Sequence, residues 1–328
     1  MKVSIALATY NGEKYLAQQI ESILSQTRLP DELVICDDYS TDKTLNIINN
    51  YIKKTSFDCV ILCNEVNMGT GYSFKKAIDG CSGDIIVFCD QDDIWRKNKI
   101  ERIEQEFKEK PNIHFTISNA NIINESSKDL NYTLWQQRKF TKFWQNRFSK
   151  INQFDVVIRK NIITGMTTAI SQSLKKIGSD KKDNINHDAW YIYIASVMGL
   201  KGCLIDEVLI DYRQHQSQQF GSLKRSKLNN FINSLRVNNK AILLNIKNIE
   251  NLLEFVDKNS VFIESRKKEY LHSKYSHLKT RLNINRSMKI LRFWKILHEV
   301  VFNRYGSYSS NKNILIDFLS FSVKSKNK

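Results

Sequence analysis

The chain has 328 residues, 41% of them hydrophobic, and a formal net charge of +16. That length suits one large α/β domain with an appendage, or two domains, and the presence of only two prolines excludes a long proline-rich linker. The charge is uneven: from Gly221 to Lys328 there are 22 Lys and Arg against 7 Asp and Glu, so the first 220 residues are near neutral and the basicity belongs to the tail.

Val3–Ala8 is predicted as a strand. Glu13–Gln26 follows as a helix with Leu16, Ile20, Ile23 and Leu24 on one face. Leu33–Cys36 is a strand, and Thr41–Tyr51 a helix with Ser40 or Thr41 available as its cap. Cys59–Cys63 is a third strand, Tyr72–Ile78 a helix, Asp84–Cys89 a fourth strand and Lys97–Lys110 a charged helix stopping before Pro111. Strands separated by helices of this length predict βαβ units and a mainly parallel sheet. His114–Ser118 is a further strand, after which Leu134–Lys150 is aromatic and basic. That segment suits a helix packed on the sheet better than a flap over a pocket. A turn at Thr164-Gly165 leads into Met166–Ile170, a helix near Asp188–Met198 and a strand at Cys203–Ile210.

The six cysteines include no C-x-x-C pair and mostly sit in apolar runs, as reduced core residues of a cytosolic protein would. Met1–Ala8 is too short and too poor in basic residues for a signal peptide. No stretch approaches the roughly 18 apolar residues that cross a bilayer.

From about Lys224 onward the pattern is helical, over Phe231–Val256, Phe262–Leu282 and Ser287–Phe302. The last of these mixes Lys289, Arg292 and Lys295 with Phe293, Trp294 and Leu297. Such a helix suits an anionic membrane surface, or packing on its neighbours with lysines toward water.

Chemistry concentrates at the strand ends. Ile85–Phe88 is continuously apolar, as a strand buried on both faces should be, and it runs into Asp90-Gln91-Asp92-Asp93. Carboxylates clustered there are costly unless a cation neutralises them. Hard oxygen ligands at this spacing suit Mg²⁺ or Mn²⁺, ions that commonly hold phosphates. Thr9-Tyr10-Asn11-Gly12 follows the first strand, Asp37-Asp38-Tyr39-Ser40 the second and Asn67-Met68-Gly69 the third. His187-Asp188 and Tyr212-Arg213-Gln214-His215 come later.

In this order the segments resemble family 2 glycosyltransferases of the GT-A fold. The Asp-Gln-Asp-Asp-Ile-Trp string is similar to that of the bacterial rhamnosyltransferase-like subgroup of surface-polysaccharide synthesis. The resemblance covers residues 1–110 well, 160–216 reasonably, and the tail not at all. It implies a GT-A domain over 1–220; 221–328, outside the resemblance, is read from its own pattern as a basic helical region open to both membrane association and packing on its neighbours. It places Thr9, Tyr10, Asn11, Asp37, Asp38, Asn67, Gly69, Asp90, Gln91, Thr164 and Gly165 against a nucleotide-sugar, and Asp92 and His215 on Mn²⁺ or Mg²⁺. Asp188 matches the family's catalytic base, preceded by His187 where many relatives are acidic. Tyr39 stands where many relatives have glycine, so the backbone after Asp38 is expected to be less free to take φ > 0.

The implied activity is inverting, metal-dependent transfer of one sugar from a UDP- or dTDP-sugar to a glycan, on a polyprenyl diphosphate at the cytoplasmic face of the plasma membrane. The processive synthases' Gln-x-x-Arg-Trp signature is missing, which points to one sugar per encounter. A nucleotidyltransferase would show a basic glycine-rich loop after the first strand, and Thr9-Tyr10-Asn11-Gly12-Glu13 is not one. A nucleic-acid role for the basic tail lacks any recognised base-reading module.

Overall fold

The computed structural model describes residues 1–160, 162–179, 187–215, 227–286, 289–309 and 312–319. The chain forms two compact units, Met1–Gly221 and Ser222–Lys328.

Unit 1 opens with β1 (Val3–Thr9), α1 (Leu16–Leu24), β2 (Glu32–Asp37), α2 (Thr44–Ile52), β3 (Asp58–Cys63), α3 (Thr70–Gly80) and β4 (Ile85–Cys89). Two-residue β5 (Ile94–Trp95) precedes α4 (Lys99–Glu109), β6 (Ile113–Asn124) and β7 (Asp129–Thr133). Then come α5 (Leu134–Gln137), α6 (Lys142–Lys150), α7 (Gln153–Arg159), β8 (Thr168–Ser171), α8 (Gln172–Ile177), α9 (His187–Met198) and β9 (Lys201–Gln214).

These strands make one sheet in the order β3-β2-β1-β4-β8-β6-β9-β5, with β7 on β6. The first four are mutually parallel, as are β6 and β9, whereas β8 runs antiparallel between β4 and β6. Every residue of β1, β2 and β4 is buried, which is why these strands are apolar runs rather than alternating ones. Leu16, Ile20 and Ile23 of α1 join Ile5, Leu7 and Val87 in the core.

Four details depart from the sequence reading. Helix α2 starts at Thr44, not Thr41, because the Asp42 carboxylate accepts the Thr44 N–H at 2.9 Å while Ser40 serves the Asp37 carboxylate. Cys63 is exposed rather than core, since β3 is the edge strand, and all six cysteines are free. Leu134–Lys150 forms two short helices, with Trp135, Phe140 and Phe148 buried and Phe143 outside. Tyr39 does take φ > 0, at +66°.

Unit 2 is helical: α10 (Lys227–Lys258), α11 (Ser265–Arg286), α12 (Lys289–Val301), α13 (Arg304–Tyr308) and α14 (Lys312–Leu319). The last two are additional to the helices predicted from sequence. Its interior holds ions. Arg281 pairs with Asp317 through Nε to Oδ2 at 2.6 Å and one Nη to Oδ1 at 3.0 Å, and Tyr305 donates to the same Asp317 at 2.9 Å. His277 bridges Glu299 at 2.5 Å and the Ser309 hydroxyl at 2.8 Å, and Arg304 reaches the other Glu299 oxygen at 3.0 Å. His277, Glu299, Arg281 and Asp317 are all buried.

Candidate functional site: an acidic cleft where the strand order reverses

Strands β1, β2 and β3 grow in one direction and β4 lies on the other side of β1. In open α/β sheets ligands settle at the carboxyl ends of strands at such a reversal. A cleft of about 390 Å³ opens there, lined by Thr9, Tyr10, Asn11, Asp38, Asp90, Gln91, Asp92 and His215 among others.

Its acidic wall begins where β4 ends. Asp92 Oδ2 lies 2.8 Å from His215 Nε2, and the His215 ring packs 4.9 Å from the Tyr15 ring. Burial, together with the charges of Asp92 and Asp188, pushes the Asp90 carboxyl up to about 8. Asp93 is fully buried, so burial and the neighbouring Asp92 and Asp90 hold it well above the carboxylate range. Its Oδ1 accepts the Arg213 N–H at 3.0 Å, while its Oδ2 is without a partner among the described residues.

Arg213 holds this loop from behind. Fully buried, it donates from Nε to the Asp92 carbonyl at 2.8 Å and through its Nη atoms to Gln18 Oε1 at 2.8 Å and Ser127 Oγ at 2.8 Å. Its guanidinium lies 4.5 Å over the Tyr15 ring. Lys99 is the second buried cation. It donates to the Met166 carbonyl at 2.7 Å and sits 3.6 Å over the Trp95 ring, where burial lowers its pKa to about 7.

The neighbouring wall belongs to the loop after β1. Gln91 clasps Tyr10 with both ends of its amide, accepting the Tyr10 N–H at 2.9 Å and donating to its carbonyl at 3.0 Å. This close approach requires glycine at position 12, where a Cβ would fall 2.4 Å from Gln91 Oε1. Asn11 takes φ +44°, which asparagine tolerates, and its side-chain oxygen accepts the Thr41 N–H at 2.8 Å.

The Asp37-Asp38 pair is committed to its own loop. Asp38 lines the cleft, but its oxygens accept from Asn64 Nδ2 at 2.7 Å, Met68 N at 2.8 Å and Gly69 N at 2.8 Å. Asp37 is buried and accepts from the Thr9 and Ser40 hydroxyls at 2.7 Å each. These bonds hold Tyr39 in its left-handed turn, and Gly69 takes φ +86° beside Asp38. Asn67 is exposed and does not line the cleft.

Asp188 sits in the first turn of α9, outside the cleft lining but near enough for its charge to act on Asp90. Burial raises its pKa, opposed by the backbone N–H groups of Ala189, at 2.7 Å, and Gly165. Gly165 therefore supports Asp188 through its backbone, and neither Thr164 nor Gly165 lines the cleft; the Thr164 carbonyl accepts from the Thr167 and Thr168 hydroxyls at 2.8 and 3.1 Å. Arg213 lies within the Tyr212–His215 segment but takes no role of its own from the sequence, and nothing in the sequence marks Lys99 or Asn64, because arginine and lysine are seldom buried and Asn64 precedes the recognised Asn-x-Gly turn.

The model for glycosyl transferase family 2 matches residues 4–178. The chain belongs to glycosyl transferase family 2. It is 34% identical over 148 residues to the Escherichia coli UDP-Glc:alpha-D-GlcNAc-diphosphoundecaprenol beta-1,3-glucosyltransferase WfgD, covering 44% of this chain and 55% of that protein. It is 41% identical over 101 residues to the dTDP-rhamnosyl transferase RfbG of Shigella flexneri, covering 29% and 34% of the two chains. The chain thus spans about a third to a half of the length of these relatives.

Staphylococcus aureus TarS 1-349, solved with UDP-GlcNAc, matches 94% of this chain and 90% of its own at a TM-score of 0.54 and 17% identity. The Pyrobaculum calidifontis mannosyltransferase PcManGT, solved with GDP-Man and Mn²⁺, matches 97% and 85% at 0.53 and 13% identity. Both support the GT-A fold. Among the described residues, no helix is long and apolar enough to cross a membrane, and no three His, Cys, Asp or Glu side chains group to hold a metal by themselves.

Proposed function

We propose that this family 2 chain transfers one sugar from a UDP- or dTDP-sugar to a glycan acceptor, with inversion and with help from Mn²⁺ or Mg²⁺. The observation that carries the reading is the pairing of Asp92 with His215 beside Asp90, at the mouth of a nucleotide-sized cleft. One carboxylate and one imidazole suffice for such an ion when phosphate oxygens complete its shell, so a three-residue cluster is not required. The mutual repulsion of Asp90, Asp92 and Asp93 gives the same wall a need for positive charge. When bound, the ion neutralises charge gathering on the departing diphosphate.

The chain's own residues do the rest. Gln91 holds the Tyr10 backbone, Asp38 fixes the Met68-Gly69 turn, and together they shape the cleft for a flat base and a diphosphate. Asp188 takes the proton from the acceptor hydroxyl as that oxygen bonds to the anomeric carbon. The bond from that carbon to the diphosphate oxygen breaks on the opposite face, which inverts the centre. A raised carboxyl pKa suits a base that must hold this proton.

The names of WfgD and RfbG support UDP- and dTDP-linked donors, and WfgD's acceptor is carried on diphosphoundecaprenol. A lipid-linked glycan of bacterial O-antigen, capsule or exopolysaccharide synthesis, met at the inner face of the plasma membrane, is the acceptor class this reading favours.

Asp188→Asn tests the assignment of roles. It should leave nucleotide-sugar affinity unchanged and lower kcat by about 10³-fold, the scale of a lost general base. Transfer at the wild-type rate would remove Asp188 from the mechanism.

A further inference from the structure

In unit 2, two helices bury charged side chains while leaving large apolar ones outside. On α12, Arg292, Ile296 and Glu299 form the buried face, while Phe293 is 50% exposed, Trp294 63% and Val301 70%. On α14, Asp317 is buried against Arg281, while Leu315 and Phe318 are each 52% exposed. The two helices pack on one another, and Phe302 continues the apolar surface just past the end of α12.

A helix facing water normally does the opposite. Here the charged positions are occupied within the unit: Glu299 by His277 and Arg304, and Asp317 by Arg281 and Tyr305. Turning either helix to hide its aromatics would bring these ions out of their pairs. The outward apolar face is therefore a fixed feature of the fold, and its cost in water implies a cover.

We propose that the α12–α14 face is the surface by which this chain lies on an anionic membrane. Charge selects this occupant. The unit has 22 Lys and Arg against 7 Asp and Glu, so two copies meeting through this face would bring together two strongly positive bodies. An anionic lipid surface attracts the same charge and accepts Phe and Trp at the level of its head groups. Neither helix is long and apolar enough to span the bilayer, which leaves binding in the interface. The inference deepens the reading of a lipid-linked acceptor. Its test measures binding and not transfer, so the two can fail separately.

The full chain is mixed with phosphatidylcholine vesicles, with or without phosphatidylglycerol, and followed by co-sedimentation and tryptophan emission. Trp294 is the sole tryptophan of the unit, so subtracting the signal of Trp294→Phe isolates it. The expected result is binding to the anionic vesicles only, with a blue shift that vanishes in Trp294→Phe while binding persists. Phe293→Ser/Trp294→Ser should bind about tenfold more weakly at unchanged far-UV circular dichroism. Binding that is unaltered in this double variant, or equal on neutral vesicles, would overturn the proposal. So would a chain that ignores vesicles but self-associates until the double variant separates it.

Discussion

The two units solve the problem of charge in opposite ways. Unit 1 has an apolar centre and gathers carboxylates at one edge, where β4 runs out and a cleft opens. Unit 2 pairs two of its carboxylates, Glu299 and Asp317, in the interior and leaves aromatic side chains outside. In the first, unneutralised acid marks where a ligand belongs. In the second, the acids are satisfied and the unneutralised feature is apolar surface. A polar cluster therefore indicates function only when its partners are missing, and an apolar patch only when the chain cannot hide it.

The largest effect expected on this contrast is at Arg213. Arg213→Met leaves the Asp92 carbonyl, Gln18 and Ser127 without their buried donor, and should cost about 3 kcal/mol in urea unfolding. A loss below about 1 kcal/mol would mean that the acidic loop stands without its clamp.

Next comes acid. Burial pushes the Glu299 carboxyl up, but the His277 hydrogen bond and the His277 and Arg304 charges outweigh it and hold its pKa below the ordinary 4.5. A depressed carboxyl contributes stability at pH above its unfolded value and loses it as pH falls through the folded one. Thermal melts taken downward from neutral pH should thus lose stability below about 4.5, and Glu299→Gln should flatten that acid limb. An acid limb of unchanged steepness in the variant would deny the pairing its role.

The smallest effect is the most pointed. Leu315→Ser, two residues from buried Asp317, should change unfolding free energy by no more than about 1 kcal/mol, because Leu315 is 52% exposed. A loss of about 2 kcal/mol would place Leu315 in a core and end the inside-out description.

Much of unit 1 was legible beforehand. Runs such as Ile85–Phe88 are buried on both faces and can be read without knowing their neighbours. Short elements were not: β5 has two residues, and α13 and α14 have five and eight, too few for a period to stand out. At the site, the family resemblance singled out Asp92 and His215, which the fold does bring to 2.8 Å. It also identified Asp38 without revealing that Asn64, Met68 and Gly69 would take up its oxygens. Hydrogen-bond partners far apart in sequence leave no periodic trace. Arg213 is the clearest example, since its partners Gln18 and Ser127 lie on separate segments of the unit.

The acidic wall of unit 1 should hold a nucleoside diphosphate through a divalent cation. Calorimetric titration of UDP and dTDP into the full chain, with Mn²⁺ and with EDTA, addresses it directly, run beside Asp92→Ala. One of these nucleotides should bind at least about tenfold tighter with Mn²⁺, and Asp92→Ala should abolish the difference. Equal affinity with and without the ion, or an Asp92→Ala chain that keeps the metal's effect, would contradict it.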